Sequence, residues 1–229
     1  MNIQGYQKLT LLDYPGKTAC TVFTGGCNFR CPFCHNSPLV NHPNEYNSLE
    51  QEVLEYLQKR KGLLDGVCIT GGEPLLQKDI EVFIKRVKDM GYSVKLDTNG
   101  WLTDRLKAIL DKGLVDYVAM DIKSSPDGYA AAAGCRVDIK SIEKSIQAIV
   151  SSGVEYELRT TVVKGLHDAQ CLERLAQWIG DKRYYLQSYT DSGDILSSEG
   201  LSAFSPSELK EMLNNIRKYV PGASLRGVD

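Results

Sequence analysis

Three cysteines lie within eight residues of one another, at Cys27, Cys31 and Cys34, in the spacing C-x3-C-x2-C. The segment that carries them, Gly25–Asn36, directly follows the first apolar run expected to form a buried strand. Thiolates are soft ligands that suit iron–sulfur clusters or zinc. Three protein ligands on a four-iron cluster would leave one iron open to bind a substrate. The spacing therefore predicts a [4Fe-4S] cluster on these three cysteines.

Two other interpretations of the cysteines remain open. His35 could complete a Cys3His zinc site, although it is adjacent to Cys34, and neighbouring residues rarely aim at one small ion. The thiols could also be buried and inert. That interpretation fits Cys20 and Cys68, which lie in strand-like runs. Cys135 and Cys171 have no motif around them and are interpreted as incidental.

Polar or glycine-rich residues recur at the later strand candidates. They are the TGGEP segment at Thr70–Pro74, the DTNG segment at Asp97–Gly100, the pair Asp121 and Lys123, Arg159, and the pair Gln187 and Tyr189. Because the carboxyl ends of parallel strands meet at one edge of a sheet, these residues predict a polar pocket beside the cysteines. Charges of both signs would suit a zwitterionic ligand such as an amino acid. Each feature alone also has a structural explanation, such as a tight turn for the glycines or an ion pair for Asp121 and Lys123.

The elements that position these residues alternate between short apolar runs and amphipathic segments. The strand candidates are Thr18–Thr24, Gly66–Thr70, Ser93–Asp97, Tyr117–Ile122, Tyr156–Val163 and Tyr184–Tyr189. The helical candidates are Ser48–Lys61 with a capping box at Ser48 and Gln51, Asp79–Met90, the stripe Ile139–Ile149, the stripe Leu172–Ile179, and a helix opened by Ser205, Pro206 and Glu208.

Six strand–helix repeats predict an α/β fold with a parallel sheet. Six units are too few for the closed eight-fold barrel. An open, partial barrel and a doubly wound sheet both remain possible. No linker-like stretch divides the chain, so we expect residues 1–229 to form a single domain.

Composition excludes several classes of function. The 229 residues are 42% apolar and 24% charged, with a formal charge of −2, so no basic excess supports binding to nucleic acid. No apolar run approaches the length of a membrane span, and the N-terminus lacks the pattern of a secretory signal. We therefore expect no membrane or nucleic-acid partner and a cytoplasmic location. His42 and His167 lie in loop-like stretches and are expected to be solvated.

The motifs together resemble a known superfamily. The C-x3-C-x2-C loop, with Phe33 before its third cysteine, and the GGEP segment at Gly71–Pro74 resemble the signature of the radical S-adenosylmethionine (SAM) superfamily. The segments Asp13–Lys17, Asp97–Gly100 and Asp121–Lys123 resemble those of the glycyl-radical-enzyme activating enzymes within it. The fold of that family is a partial (β/α)6 barrel of the TIM type.

The resemblance implies a role for each candidate residue. The three cysteines would ligate three irons, and the open iron would take the amino and carboxylate groups of SAM. Phe33 and His35 would lie against the adenosine, and Gly71, Gly72 and Glu73 would receive the methionine ammonium on backbone carbonyls. Contacts to the SAM carboxylate and ribose would come from Asp97, Asp121 and Lys123, with Arg159 supporting them and Gln187 and Tyr189 nearby. A monovalent cation is implied near the two aspartates, and no separate protein acid or base is implied.

The resemblance also implies an activity and partners. Such an enzyme cleaves SAM reductively, takes its electron from a donor such as flavodoxin, and abstracts a glycine Cα hydrogen from a glycyl-radical enzyme. The stretch Gly5–Asn36 most resembles activators of anaerobic ribonucleoside-triphosphate reductase, with pyruvate formate-lyase activating enzymes as close relatives. The latter have a histidine on the sixth strand, where this chain has Leu186–Tyr189 (LQSY). The alternatives are a radical-SAM enzyme that acts on a small molecule, such as a deazapurine precursor, and an iron–sulfur or zinc module without turnover.

Overall fold

The computed structural model describes residues 1–44, 48–191 and 193–227. The strands are β1 (Ile3–Thr10), β2 (Ala19–Thr24), β3 (Gly66–Gly71), β4 (Ser93–Thr98), β5 (Tyr117–Asp121), β6 (Glu155–Val162), β7 (Tyr184–Ser188) and β8 (Ser224–Arg226). The α-helices are α1 (Ser37–Asn41), α2 (Glu50–Lys59), α3 (Ile80–Asp89), α4 (Thr103–Asp111), α5 (Tyr129–Ala133), α6 (Ile139–Ser152), α7 (Ala169–Ile179) and α8 (Pro206–Ile216). A 3-10 turn covers Pro74–Leu76.

The eight strands form one sheet in the order of the sequence, β1 to β8. β1 is antiparallel to β2, whereas the pairs β2–β3, β3–β4, β6–β7 and β7–β8 are parallel. The predicted α/β class with a parallel sheet is therefore confirmed, and the six predicted strands correspond to β2–β7. The strand order has no point of reversal, which is not the order of a doubly wound sheet.

Several elements carry no clear signal in the sequence. The outer strands β1 and β8 and the helices α1, α4 and α5 were not predicted. The capping box expected at Ser48 and Gln51 is wrong, because α2 begins at Glu50 and the Ser48 hydroxyl donates to the Met1 carbonyl instead. The other predicted box is confirmed: Ser205 caps α8 reciprocally with Glu208.

The chain divides into two compact units. Unit 1 consists of Met1–Asn28, Pro38–Ala119 and Lys140–Tyr156, and unit 2 consists of Phe29–Ser37, Met120–Ile139 and Glu157–Asp229. In unit 1, α3 buries the apolar face that its sequence predicts, formed by Ile80, Phe83, Ile84 and Val87. In unit 2, α7 buries Leu172, Leu175 and Ile179 in the same way. That residues 1–229 behave as a single domain stays a prediction.

Among the described residues, no helix is long and apolar enough to cross a membrane.

Candidate functional site

Cys27 lies in unit 1, on the loop after β2, and its surroundings are polar. The side-chain amide of Asn99 lies 3.9 Å from the Cys27 sulfur and donates to the side-chain oxygen of Asn28 at 2.7 Å. Upstream, the Gly26 N–H donates to the carbonyl of Leu39 at 2.8 Å. The first cysteine is thus held by a loop that is hydrogen-bonded on both sides. Asn28 was not among the predicted site residues, whereas Asn99 belongs to the DTNG segment that the sequence placed in the polar pocket.

Gly71 and Gly72, at the end of β3, lie against the segment that leads into this loop. Gly71 has a φ of +110°, and a Cβ there would lie 2.4 Å from the backbone nitrogen of Thr24. A Cβ on Gly72 would lie 2.0 Å from the carbonyl oxygen of Gly26. Only glycine fits either position, because a side chain would collide with backbone that cannot yield. The close approach that these glycines permit is made, among the described residues, to neighbouring backbone.

Glu73 ties the end of β3 to the end of β4. Its carboxylate is 1% exposed and accepts from the Leu75 N–H at 3.0 Å, the Thr98 hydroxyl at 2.9 Å and the Asn99 N–H at 2.7 Å. The side chain of the GGEP glutamate thus fixes two strand ends. Contact between the Glu73 backbone and a ligand stays a prediction.

Asp97 already has a cationic partner within unit 1. The ammonium of Lys95, two residues earlier on the same face of β4, forms a buried ion pair with the Asp97 carboxylate. The Cys68 sulfur lies 3.7 Å from the same carboxylate and 3.8 Å from the Lys95 nitrogen. Asp97 was a predicted site residue, whereas its pairing with Lys95 was not predicted.

Cys31 and Cys34 lie in unit 2 as free thiols. Burial raises the pKa of Cys31 to about 11, partly offset by the positive charge of Lys123. Burial also raises the pKa of Cys34, against a backbone hydrogen bond from Asn36. The segment before Cys31 packs closely on the end of α5: the Arg30 N–H donates to the Ala133 carbonyl at 2.8 Å, and a Cβ on Gly134 would lie 1.9 Å from the carbonyl oxygen of Arg30.

Asp121, Lys123 and Arg159 form an ion-paired group in unit 2, and for Asp121 and Lys123 this pairing is the structural explanation that the sequence left open. The Lys123 ammonium lies 3.1 Å and the Arg159 Nε 2.5 Å from the Asp121 carboxylate. Burial opposes ionisation of Asp121, but the charges of Arg159 and Lys123 outweigh it and hold its pKa well below the ordinary range. For Lys123, burial acts to lower the pKa, and the Asp121 charge raises it above the ordinary range. All three groups are therefore charged at neutral pH.

Two predicted adenosine contacts lie in unit 2 with aromatic partners. The buried ring of Phe33 lies 6.0 Å from the Lys123 ammonium and meets the ring of His167 edge-on at 6.5 Å. His35 is exposed, its Nε2 lies against the Thr190 carbonyl, and its ring is 5.7 Å from that of Tyr189. The two rings thus have separate surroundings.

The expectation that His167 is solvated is wrong, because the ring is only 4% exposed. Its Nδ1 accepts from the Val163 N–H at 3.0 Å, and its Nε2 donates to the Lys123 carbonyl at 2.8 Å. The fold brings the loop after β6 against Lys123, which local polarity could not indicate. The same segment buries Cys171 beside the hydroxyls of Ser124 and Ser125.

Tyr189 and Gln187, the last two predicted site residues along the chain, differ in burial. Tyr189 is 3% exposed, and its hydroxyl has no hydrogen-bond partner within the described ranges. Tyr129, which sequence analysis missed, also has a buried hydroxyl without such a partner. Gln187 is half-buried on β7, between Thr161 and Arg226 in the sheet register. Buried hydroxyls of this kind are groups that a bound polar molecule could satisfy.

The donor chemistry fits an iron–sulfur cluster and SAM. None of Cys27, Cys31 and Cys34 is in a disulfide, and soft thiolates are the ligands of such clusters. The orphan hydroxyl of Tyr189 and the charged group around Asp121 suit a polar ligand. Among the residues that the structure describes, no three His, Cys, Asp or Glu side chains form a ready site for a metal ion. The cluster assignment thus depends on cysteine type and spacing.

Comparison with known proteins identifies the family. The model of the radical SAM superfamily matches residues 21–179. A Methanocaldococcus jannaschii protein provisionally named a glycyl-radical enzyme activating enzyme is 30% identical over 99% of this chain and 96% of its own length. The pyruvate formate-lyase-activating enzyme of Clostridium pasteurianum is 30% identical over 73% of this chain and 71% of its own length.

Other matches lie outside the activating enzymes. A GTP 3',8-cyclase of Nautilia profundicola is 32% identical over 66% of this chain and 49% of its own length. Among solved structures, SuiB of Streptococcus suis bound to S-adenosylmethionine aligns with a TM-score of 0.70 and 14% identity. The alignment covers 89% of this chain but only about half of SuiB, 49%, and at this identity it supports the fold alone.

Proposed function

Because the chain belongs to the radical SAM superfamily, we propose that it activates a glycyl-radical enzyme, and that this partner is an anaerobic ribonucleoside-triphosphate reductase. One observation carries the activase assignment: similarity over 99% of the chain to a protein provisionally named as such an activator. The pyruvate formate-lyase-activating enzyme of C. pasteurianum adds support.

The cofactors follow from the superfamily, which implies a [4Fe-4S] cluster and SAM. We propose Cys27, Cys31 and Cys34 as the three protein ligands of the cluster, since their spacing matches the superfamily signature. When bound, the reduced cluster would supply the electron that cleaves SAM to methionine and the fragment that takes a glycine Cα hydrogen. The monovalent cation near Asp97 and Asp121 stays a prediction, as does flavodoxin as the electron donor.

The chain's own residues would bind and orient SAM. In the proposed arrangement, the charged group of Asp121, Lys123 and Arg159 meets the carboxylate and ribose. The two cations leave this group with a net positive charge, which suits a carboxylate. The buried Tyr189 hydroxyl would gain a partner, and the His35 ring beside it would lie against the adenine. Such contacts hold a substrate in the near-attack geometry that hydrogen transfer needs.

Two features of the sequence favour the reductase over pyruvate formate-lyase as the partner. The stretch Gly5–Asn36 resembles the reductase activators, and Gln187 and Tyr189 stand where the lyase activators have a histidine. Those two side chains are half-buried and buried in the structure. Neither side chain has an imidazole, so in this chain a different group would contact SAM at the position of that histidine.

The test is activation of a candidate partner. We expect anaerobic mixing of the reconstituted protein, SAM, a reductant and the reductase to give a glycyl-radical EPR doublet on the reductase. Deuterium placed on that glycine Cα should appear in 5'-deoxyadenosine. A Cys31→Ala variant, which should not hold the cluster, is the control that must give neither signal. Cys171→Ala, which replaces a buried cysteine outside the motif, should retain both.

The outcome discriminates among the alternatives. A doublet only on pyruvate formate-lyase would keep the activase assignment and overturn the partner. Turnover of a small molecule such as a purine nucleotide, without any doublet, would instead favour the class indicated by the GTP 3',8-cyclase match. Zinc at full occupancy in the anaerobically isolated protein would contradict the radical SAM chemistry.

A further inference from the structure

A carboxylate that the proposed function does not use lies beside the charged group of unit 2. Glu157, on β6, has a side chain that is 0% exposed. Arg226, on the last strand, β8, donates to both of its oxygens, at 2.7 Å and 2.5 Å. Two parallel bonds between a guanidinium and a carboxylate form the strongest geometry available to such a pair.

Arg159 lies between two carboxylates. Its Nε is 2.5 Å from Asp121, while its Nη1 is 3.8 Å from the oxygen of Glu157 that also accepts from Arg226. Glu157 and Arg159 are two residues apart on β6 and therefore share a face. Arg159 can thus pair closely with either acid, and in the structure its short contact is with Asp121.

Arg226 is held in place independently of Glu157. Its strand pairs in register with β7, with Arg226 opposite Gln187. Its guanidinium stacks 3.9 Å from the ring centre of Tyr185, a favourable contact for a planar cation. The arginine is therefore presented to Glu157 in a fixed orientation.

We propose that Arg226 is a positioning residue for SAM binding: by neutralising Glu157 it leaves Arg159 to Asp121. The inference rests on the proposed role of Asp121, Lys123 and Arg159 at SAM. A buried carboxylate without a partner is strongly unfavourable. Once Arg226 is removed, Glu157 draws Arg159 toward itself, and the group at Asp121 loses its geometry.

This arrangement predicts that a second substitution repairs the first. Arg226→Gln alone removes the bidentate cationic partner of Glu157, so Glu157 attracts Arg159 more strongly than in the parent protein. In Glu157→Gln/Arg226→Gln both charges are gone, and Arg159 keeps Asp121 as its near acidic partner. If Arg226 only anchors β8, the double variant should bind SAM no better than Arg226→Gln, because both variants lack the ion pair that joins β8 to β6.

The experiment measures the affinity of SAM for the reconstituted, cluster-bearing protein by equilibrium dialysis, with thermal unfolding in parallel. We expect Arg226→Gln to weaken SAM binding about tenfold, the size of one charge-assisted hydrogen bond. The double variant should return to within about twofold of the parent protein. The matched control is Glu173→Gln, which breaks an exposed pair with Lys218 at 3.2 Å in the same unit and should leave SAM affinity unchanged.

Three results would overturn the inference. One is a lower melting temperature for Arg226→Gln with unchanged SAM affinity, which would reduce Arg226 to a structural anchor. A second is a double variant that binds SAM no better than the single one. The third is unchanged SAM affinity in Asp121→Ala, which would remove the proposed SAM contact itself. In the first two cases, weakened binding in Asp121→Ala would leave the proposed function standing.

Discussion

At the scale of the residue, His167 has a defined tautomer. A backbone N–H can only donate, so the bond from Val163 requires a bare Nδ1. The Lys123 carbonyl can only accept, so Nε2 must carry the hydrogen. The ring is thus neutral, and its second bond fixes the backbone of a proposed SAM contact. Burial lowers its pKa below the ordinary value, and the hydrogen bond to the Lys123 carbonyl acts in the opposite direction.

Because the folded protein keeps this imidazole neutral, we expect its free energy of unfolding to depend on pH. Below about pH 6.5 the unfolded chain gains a proton on this histidine, whereas the folded ring does not, so stability falls as the pH falls. His167→Gln keeps one acceptor and one donor but cannot titrate. We expect its free energy of unfolding to decline less steeply than that of the parent protein below pH 6.5, by at most about 1.4 kcal/mol per pH unit.

Urea unfolding from pH 8 to pH 5 checks this prediction. His42→Gln is the matched control for the loss of a histidine side chain, because His42 is exposed. Identical slopes for His167→Gln and the parent protein would show that the buried ring takes up its proton without cost.

At the scale of the element, the Glu73 carboxylate joins the ends of β3 and β4 through hydrogen bonds. The turn after β3 and the first residues after β4 donate to one carboxylate. Because Asn99 also reaches the Cys27 side chain, this carboxylate organises the surroundings of the first cysteine. The GGEP segment therefore stabilises the ends of two strands in this chain, in addition to its predicted contact with SAM.

Removal of this carboxylate should destabilise the protein strongly. Glu73→Ala leaves two N–H groups and a hydroxyl without an acceptor, at about 1–3 kcal/mol for each buried group. We expect a total loss of roughly 3 kcal/mol or more, measured by urea unfolding, and a smaller loss for Glu73→Gln, which keeps one acceptor. Glu81→Ala is the control, since it breaks an exposed pair with Lys112 worth about 0–1 kcal/mol. Equal effects of Glu73→Ala and Glu81→Ala would contradict the bonding described.

At the scale of the whole molecule, neither compact unit is a continuous piece of chain. Each is assembled from three segments. The chain has two tryptophans, and one falls in each unit: Trp101 in unit 1 and Trp178 in unit 2. The sequence predicts a single domain, and these two residues provide a separate optical probe of each unit.

Single-tryptophan variants test that prediction. We expect Trp101→Phe, which reports unit 2, and Trp178→Phe, which reports unit 1, to unfold in coincident fluorescence transitions with equal urea m-values, as a two-state domain does. Circular dichroism on each variant is the control for any loss of stability caused by the substitution itself. A fluorescence midpoint that departs from the circular dichroism midpoint of the same variant would indicate that the units unfold separately.

The sequence by itself determined the family, the fold class and most elements. The cysteine spacing and the GGEP segment are local patterns, and the apolar runs of β2–β7 carry their own signal because parallel strands are buried on both faces. The stripes of α3 and α7 were likewise legible from helical spacing. What these patterns share is that every residue needed lies within one short window.

Tertiary structure alone decided which distant residues meet. Glu157 and Arg226 are 69 residues apart, β8 is only three residues long, and nothing near either charge in the sequence marks the other. His167 was expected to be solvated because it lies in a loop, but the fold buries it against Lys123, 44 residues away. A buried charge or ring pairs with the residues that the fold places beside it, however distant they are in the sequence. That pairing is a property of the long-range packing and not of any local pattern.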